Sequence, residues 1–307
     1  MISKCTFYVQ ADKKIGIGHL MRSKSIIDSL RGENIRTRLM LDCNDFIKPI
    51  LKELDINSSE VKKGTGALII DAINLEKISE SVLLSYNPRI LISPIFDRFD
   101  LVTHYFTRSI DPQIKNNIPS NVKTLIDPLF FFSSIDSLNK RRLNFEELNI
   151  GICISGSNDY VNLDKLIRVI TRLKSLKSLK VIGQKLSLES VKCGVDFKFS
   201  NFEKTPWNFF KDINIFIGGE GIMLAESLYQ NIPSISMCRS EFKGKNEKLF
   251  YSGLINTIIL ERNWKNNLLL VLRNLELLKN QHEKLRDIKI SNSTLSLAEN
   301  IKKTILN

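Results

Sequence analysis

Short apolar or β-branched runs alternate with longer stretches at helical spacing from one end of the chain to the other, the pattern of parallel α/β layers. In the first half this predicts strands over Lys4–Val9, Thr37–Leu41, Ala67–Asp71, Ile90–Ser93 and Val122–Ile126, with helices over His19–Leu30, Phe46–Leu54 and Leu75–Leu84. The alternation then restarts. Strands are expected over Ile150–Ser155, Leu179–Ile182, Ile213–Ile217, Ser234–Met237 and Thr257–Leu260. Helices are expected over Leu163–Leu176, Gly221–Gln230, Asn246–Tyr251, Asn266–Leu285 and Ser293–Ile305. Between the halves, Phe132–Glu147 is polar, charged and short of strand signals, which makes it the expected linker. The expected fold class is therefore α/β, with two Rossmann-like domains, residues 1–145 and 146–307. Ligands of such sheets bind beyond the carboxyl ends of the strands, and twin units in series are expected to enclose a cleft there. The final helices are long enough to cross back onto the first domain.

Composition narrows the picture. The 307 residues are 43% hydrophobic and 25% charged, as expected of a soluble globular protein. No run approaches the ~18–20 apolar residues of a membrane span, and the first twelve residues lack the pattern of a signal peptide, so a cytoplasmic location is expected. Cys5, Cys43, Cys153, Cys193 and Cys238 lie far apart without a CxxC pair. They read as reduced core or loop residues, with neither a disulfide framework nor a zinc site. The net charge of +12 is spread along the chain without any nucleic-acid-binding pattern, so no nucleic-acid partner is expected. Much of it suits a solvated face, and peripheral attraction to an acidic membrane stays open.

Three segments carry candidate chemistry. In Tyr8–Arg22 a strand runs into a loop with Gly16 and Gly18, and a helix begins near His19. The free N–H groups and dipole of that helix favour an anion, and a histidine there can take a proton near neutral pH. Asp12, Gly16, Gly18 and Arg22 are candidate substrate contacts, or else the loop is a tight turn followed by a polar residue in the first helical turn. The loop is neither a full GxGxxG, since Met21 holds the third position, nor a P-loop, which argues against NAD or ATP; no cofactor is expected. In Ile213–Ser236, a buried strand leads through Gly218, Gly219, Glu220 and Gly221 into a helix. Its backbone amides could hold a diphosphate, while Glu226 suits paired ribose hydroxyls or else a solvated helix face. Ser155 and Gly156 open a small polar loop that fits phosphate contact or an ordinary turn equally well. Lys243, Lys245 and Asn246 follow a strand end, near phosphate or sugar or as a solvated run. His104 and His282 have no motif around them and read as structural or surface residues.

The stretch from Ala11-Asp12 through Ile15-Gly-Ile-Gly-His-Leu-Met-Arg22 resembles the opening motif of the UDP-sugar hydrolases of pseudaminic acid biosynthesis, which belong with the glycosyltransferase B-type fold. The Gly218–Pro233 stretch resembles the nucleotide-binding block of that family and of the transferase that adds N-acetylglucosamine during peptidoglycan synthesis. The resemblance implies that His19 activates water, that Glu226 holds the nucleotide ribose and that Asn246 lies near the sugar. It further implies hydrolysis at the anomeric carbon, with release of UDP and a free deoxy amino sugar, and no metal. The chain departs from the family pattern in three places: Gln10 replaces an arginine, Ile73 stands where a tyrosine is usual, and Ser93–Asp97 lacks paired aspartates. Three readings follow: a UDP-sugar hydrolase, a glycosyltransferase that uses the same His19 toward a sugar or lipid hydroxyl, and a binding protein that has lost turnover. The oligomeric state is not legible.

Overall fold

The structure, a computed structural model, describes residues 4–12, 17–93, 98–107, 115–126, 142–154, 161–183, 194–200, 203, 206–219, 221–239, 252–288 and 293–306. The chain divides into two compact units, Met1–Ser134 with Asn292–Asn307, and Ile135–Ser291. Each is built on a six-stranded parallel sheet.

In the first unit β1 (Lys4–Ala11), β2 (Arg36–Cys43), β3 (Ala67–Asp71), β4 (Arg89–Leu91), β5 (His104–Thr107) and β6 (Lys123–Ile126) lie in the order β2-β1-β3-β4-β5-β6. The second contains β7 (Leu148–Cys153), β8 (Leu176–Ile182), β9 (Asp196–Ser200), β10 (Ile215–Gly218), β11 (Ser234–Cys238) and β12 (Asn256–Ile259), ordered β12-β11-β10-β7-β8-β9. Central strands are buried almost throughout; β1 exposes only Lys4, and β3, β10 and β11 expose nothing. Continuous apolar strands of this kind are what a parallel sheet covered on both faces requires.

The helices are α1 (Gly18–Gly32), α2 (Lys48–Glu53), α3 (Glu80–Leu83), α4 (Leu163–Ile170), α5 (Pro206–Phe210), α6 (Ile222–Tyr229), α7 (Trp264–Arg273), α8 (Leu275–Asp287) and α9 (Ser293–Leu306). All ten expected strands are present, with ends shifted by up to three residues. Two others escaped the pattern: β5 has only four residues, and β9 is an edge strand whose charged residues alternate outward. The expected helix Leu75–Leu84 is reduced to α3, because Ser79 is extended (φ −69°, ψ 147°), and before it the side chain of Lys77 reaches Asp42 of β2. Leu163–Leu176 stops as a helix at Ile170. Leu173 and Leu176 continue its apolar period, yet they fill the core from a turn and from β8. Asn266–Leu285 is broken at Asn274, whose side chain accepts the N–H of Leu277 at 3.0 Å and so caps α8. The expected helix Asn246–Tyr251 lies outside the described residues.

The boundary also differs from expectation. Phe145, assigned to the first half and to the linker, is 2% exposed in the core of the second unit. Its ring meets His282 edge-on at 6.0 Å. The helix α9 belongs to the first unit, where Leu297, Ala298 and Ile301 are fully buried, α9 packs on α1, and Lys302 pairs with Glu33. Among the described residues no helix is long and apolar enough to cross a membrane.

The strand orders locate each unit's ligand region. In the first sheet the order reverses between β1 and β3; in the second it reverses between β7 and β10. At such a switch point the connections leave in opposite directions, which opens a crevice beyond the carboxyl ends.

Candidate active site

The switch point of the first sheet is occupied by His19 and Asp71. Along β3, Leu68 and Ile70 point into one core, so Ile69 and Asp71 point to the opposite face, as the period of two demands. The helix α1 carries a stripe on Leu20, Ser23, Ile26, Ile27 and Leu30 that buries against β1. That stripe is apolar along most of the helix and polar at its first turns. There His19, Arg22 and Ser23, three and four residues apart, converge on Asp71.

Asp71 is completely buried. Its Oδ2 accepts Arg22 Nε at 2.9 Å and the Ser23 hydroxyl at 3.0 Å; its Oδ1 takes Arg22 Nη2 and lies 2.6 Å from His19 Nδ1. His19 Nδ1 sits close to Oδ1 but off the line of a good hydrogen bond. The four contacts fill the acceptor capacity of one carboxylate. Burial pushes the Asp71 carboxyl up, but Arg22, by its charge and its hydrogen bonds, and His19 beside it outweigh burial and hold the group ionised well below the usual carboxylate range. With Nδ1 turned to Asp71, Nε2 across the ring is left for water or a ligand, the arrangement a general base needs.

Around this pair the carboxyl ends of β1 to β4 are knitted together. Gln10, 3% exposed at the end of β1, donates to Asp42 Oδ2 at 3.1 Å and to Asn74 Oδ1 at 3.0 Å. Its carbonyl oxygen accepts the backbone N–H groups of Ile73 at 2.9 Å and Asn74 at 3.2 Å. Ser93 Oγ accepts from Ala72 N and donates to Ala72 O, both at 2.8 Å. Asp42 also receives Lys77 Nζ at 2.7 Å. The backbone leaving Asp71 is thus held from both sides. Gln10, a departure from the arginine of the resembling family, serves as a neutral clamp, and Ile73 beside it is 42% exposed. Asp12 lies just past β1, where its charge reaches Lys77. Gly18 opens α1, whose N-cap Ile17 supplies no side-chain acceptor. The first N–H groups are then available to an anion.

The second sheet repeats the plan with other residues. Cys153, Gly218 and Ser236 are register partners across β7, β10 and β11, so they share one face at the carboxyl ends. A Cβ on Gly218 would stand 2.5 Å from the Phe216 ring and 2.8 Å from Cys153 O. Packing between strands therefore requires a glycine at that position. Gly219 and Gly221 form a tight turn, Gly221 N donating to Gly219 O at 2.9 Å, and Gly221 is the N-cap of α6 with no side-chain acceptor of its own. Glu226 is 1% exposed, which corrects the solvated-face alternative. Burial first, and the Glu226 charge second, push the Cys153 thiol up to about 12.

His19, Arg22 and Gly18 thus lie together in the first unit, and Gly218, Gly219, Gly221 and Glu226 together in the second. Gly16, Ser155, Gly156, Glu220 and Asn246 lie outside the described residues, as do Lys243 and Lys245. The sequence reading missed Asp71 and Gln10 as site residues; the available signal was a lone carboxylate or amide at the carboxyl end of a buried strand. His104 bonds Thr103 Oγ1 at 2.9 Å, and His282 Nδ1 lies 2.7 Å from Asn231 O; both are built into the framework. Cys5, Cys43, Cys153 and Cys238 are free thiols.

No protein-family model and no curated sequence matches the chain. Solved structures do. MurG of Acinetobacter baumannii is similar with a TM-score of 0.63 and 13% identity, over 98% of this chain and 99% of that one. The UDP co-structure of S. aureus MnaA has a TM-score of 0.68 at 8% identity, over 98% and 96%. UDP-GlcNAc 2-epimerase from Neisseria meningitidis bound to UDP-GlcNAc gives 0.63 at 10%, over 99% of each. The chain therefore has the two-domain, Rossmann-like fold of the glycosyltransferase B type.

Proposed function

We propose that this protein processes a nucleotide sugar, and that it is a hydrolase of a UDP-linked deoxy amino sugar. His19 Nε2 takes a proton from water, the water oxygen bonds the anomeric carbon, and the bond from that carbon to the diphosphate oxygen breaks, releasing UDP and free sugar. The observation that carries the reading is the convergence of His19, Arg22 and Ser23 on buried Asp71 at the switch point of the first sheet. Asp71 orients the imidazole and offsets the positive charge created when it takes the proton. The uncapped start of α6 suits the charge that UDP acquires on leaving. Two of the similar structures were solved with UDP or UDP-GlcNAc bound, which supports a UDP-sugar as the ligand.

In this reading Gly218, Gly219, Glu220 and Gly221 serve the diphosphate and Glu226 the ribose. Asp12, Gly16, Gly18 and Arg22 serve the sugar end, with Ser155, Gly156 and Asn246 completing the set. The test is a time course of UDP release from a panel of UDP-sugars without acceptor. The wild type is expected to release UDP, and His19→Ala to lose about a hundredfold or more, since a general base contributes roughly 10²–10⁴-fold. Release by His19→Ala at the wild-type rate removes His19 from the mechanism. Binding without release turns the reading to transfer onto an acceptor hydroxyl. Glu226→Ala should weaken UDP binding by about 1.5–3 kcal/mol in calorimetry; wild-type affinity would end its nucleotide role.

A further inference from the structure

At the amino ends of the second sheet, away from Gly219 and Glu226, lies a cavity of about 410 Å³ lined by Arg172, Leu173, Lys174, Ser175, Leu272, Arg273 and Leu275. Ser175 fixes its place: its carbonyl accepts the N–H of Leu148, the first residue of β7, at 2.7 Å. The helix α7 follows the carboxyl end of β12 and runs back, so its last residue, Arg273, arrives at the same end. The floor is apolar, with Leu272 fully buried and Leu173 7% exposed.

The rim is cationic, and its charges are left open. Along β8, Lys177 pairs with Glu147 and Lys180 pairs with Asp212 at 2.6 Å. Arg172, Lys174 and Arg273 are exposed and have no acidic partner among the described residues, and neighbouring Glu276 pairs with none of them. Leu270, three residues before Arg273 and therefore on the same face of α7, is 67% exposed, more than any other large apolar side chain described.

We propose that this groove docks the protein on a bilayer of anionic phospholipid. Arg172, Lys174 and Arg273 meet the phosphates, and Leu270 enters the boundary between headgroups and chains. An apolar floor with three unpaired cations fits an amphiphilic anion, because a small hydrated anion gains nothing from leucines. The net charge of +12 adds long-range attraction to the same surface. Docking at the amino ends leaves the carboxyl ends of this sheet uncovered, so the inference stands whether or not the proposed reaction does.

The test is co-sedimentation of the full chain with vesicles of phosphatidylcholine, with and without phosphatidylglycerol. At roughly fivefold per basic residue, the triple variant Arg172→Ala, Lys174→Ala, Arg273→Ala should lose about 100-fold in affinity for the anionic vesicles. A control removing equal charge from the exposed surface of the first unit, Lys52→Ala, Lys62→Ala, Lys63→Ala, should lose much less, and Leu270→Asn should weaken binding with no change in charge. Equal losses in the two triple variants would reduce the effect to net charge and overturn the proposal. So would equal binding to vesicles of phosphatidylcholine alone, or no binding by the wild type. Unchanged melting temperatures of the variants, whose substituted side chains are all exposed, confirm that the fold is kept.

Discussion

Replacing Asp71 by asparagine tests the core of the site. The substitution keeps the shape of the side chain and removes the charge that faces Arg22 and His19. Breaking a buried ion pair by removing one partner costs roughly 3–5 kcal/mol. The low end applies here, because Arg22 and His19 retain 15% and 18% exposure and can be partly rehydrated. A loss of about 3 kcal/mol from a unit of about 150 residues corresponds to a fall of roughly 6–12 °C in its melting temperature. The pH dependence has a definite sign. Asp71 is held ionised in the folded protein well below the usual carboxylate range. Its contribution is therefore fully present above the unfolded value near ~4 and is lost as pH falls toward the folded one. The difference between wild type and Asp71→Asn should be largest at neutral pH and narrow below about pH 4. Thermal unfolding followed by circular dichroism at several pH values measures both quantities, and UDP release by the same variant should fall about 10²-fold or more. A melting temperature within about 2 °C of wild type at pH 7, or a gap that widens on acidification, would refute the reasoning.

Gln10→Leu removes the acceptor for the N–H groups of Ile73 and Asn74 together with both donated bonds. Denaturant unfolding should show a loss of about 1–3 kcal/mol, and Gln10→Glu, which sets a second carboxylate oxygen against Asp42 and Asn74 in place of the NH₂ donor, should recover none of it. Gly218→Ala should cost about 1–3 kcal/mol, because the new methyl meets the Phe216 ring and Cys153 O. A neutral result in the same assay would mean that β7 and β10 separate without cost.

The clamp at Gln10 accounts for one departure from the resembling family. An arginine there would bring a charge to the end of β1, where Gln10 instead uses both ends of a neutral amide: the carbonyl for two backbone N–H groups, the NH₂ for Asp42 and Asn74. The exposed Ile73 beside it presents an apolar surface where the family has a tyrosine. In the proposed reading both differences fall at the sugar end of the ligand, and the structure keeps His19 beside Asp71.

Whatever depends on neighbours in the chain was legible in the sequence. The continuous apolar run Ala67–Ile70 and the stripe from His19 to Leu30 record a strand buried on both faces and a helix buried on one, and the glycines around Gly218 mark a turn into a helix. His19 was legible for the same reason, since a histidine just past a strand and a glycine-bearing loop lies at a helix start wherever the unit folds. Contacts between distant segments were decided by the tertiary structure alone. Asp71 meets His19 because β3 pairs with β1 in a register that sets Val9 opposite Asp71, and no local pattern encodes which strand becomes the neighbour of β1. The burial of Glu226 and the inclusion of Phe145 in the second core have the same origin. Helical spacing says which residues share a face, but only packing says what that face meets.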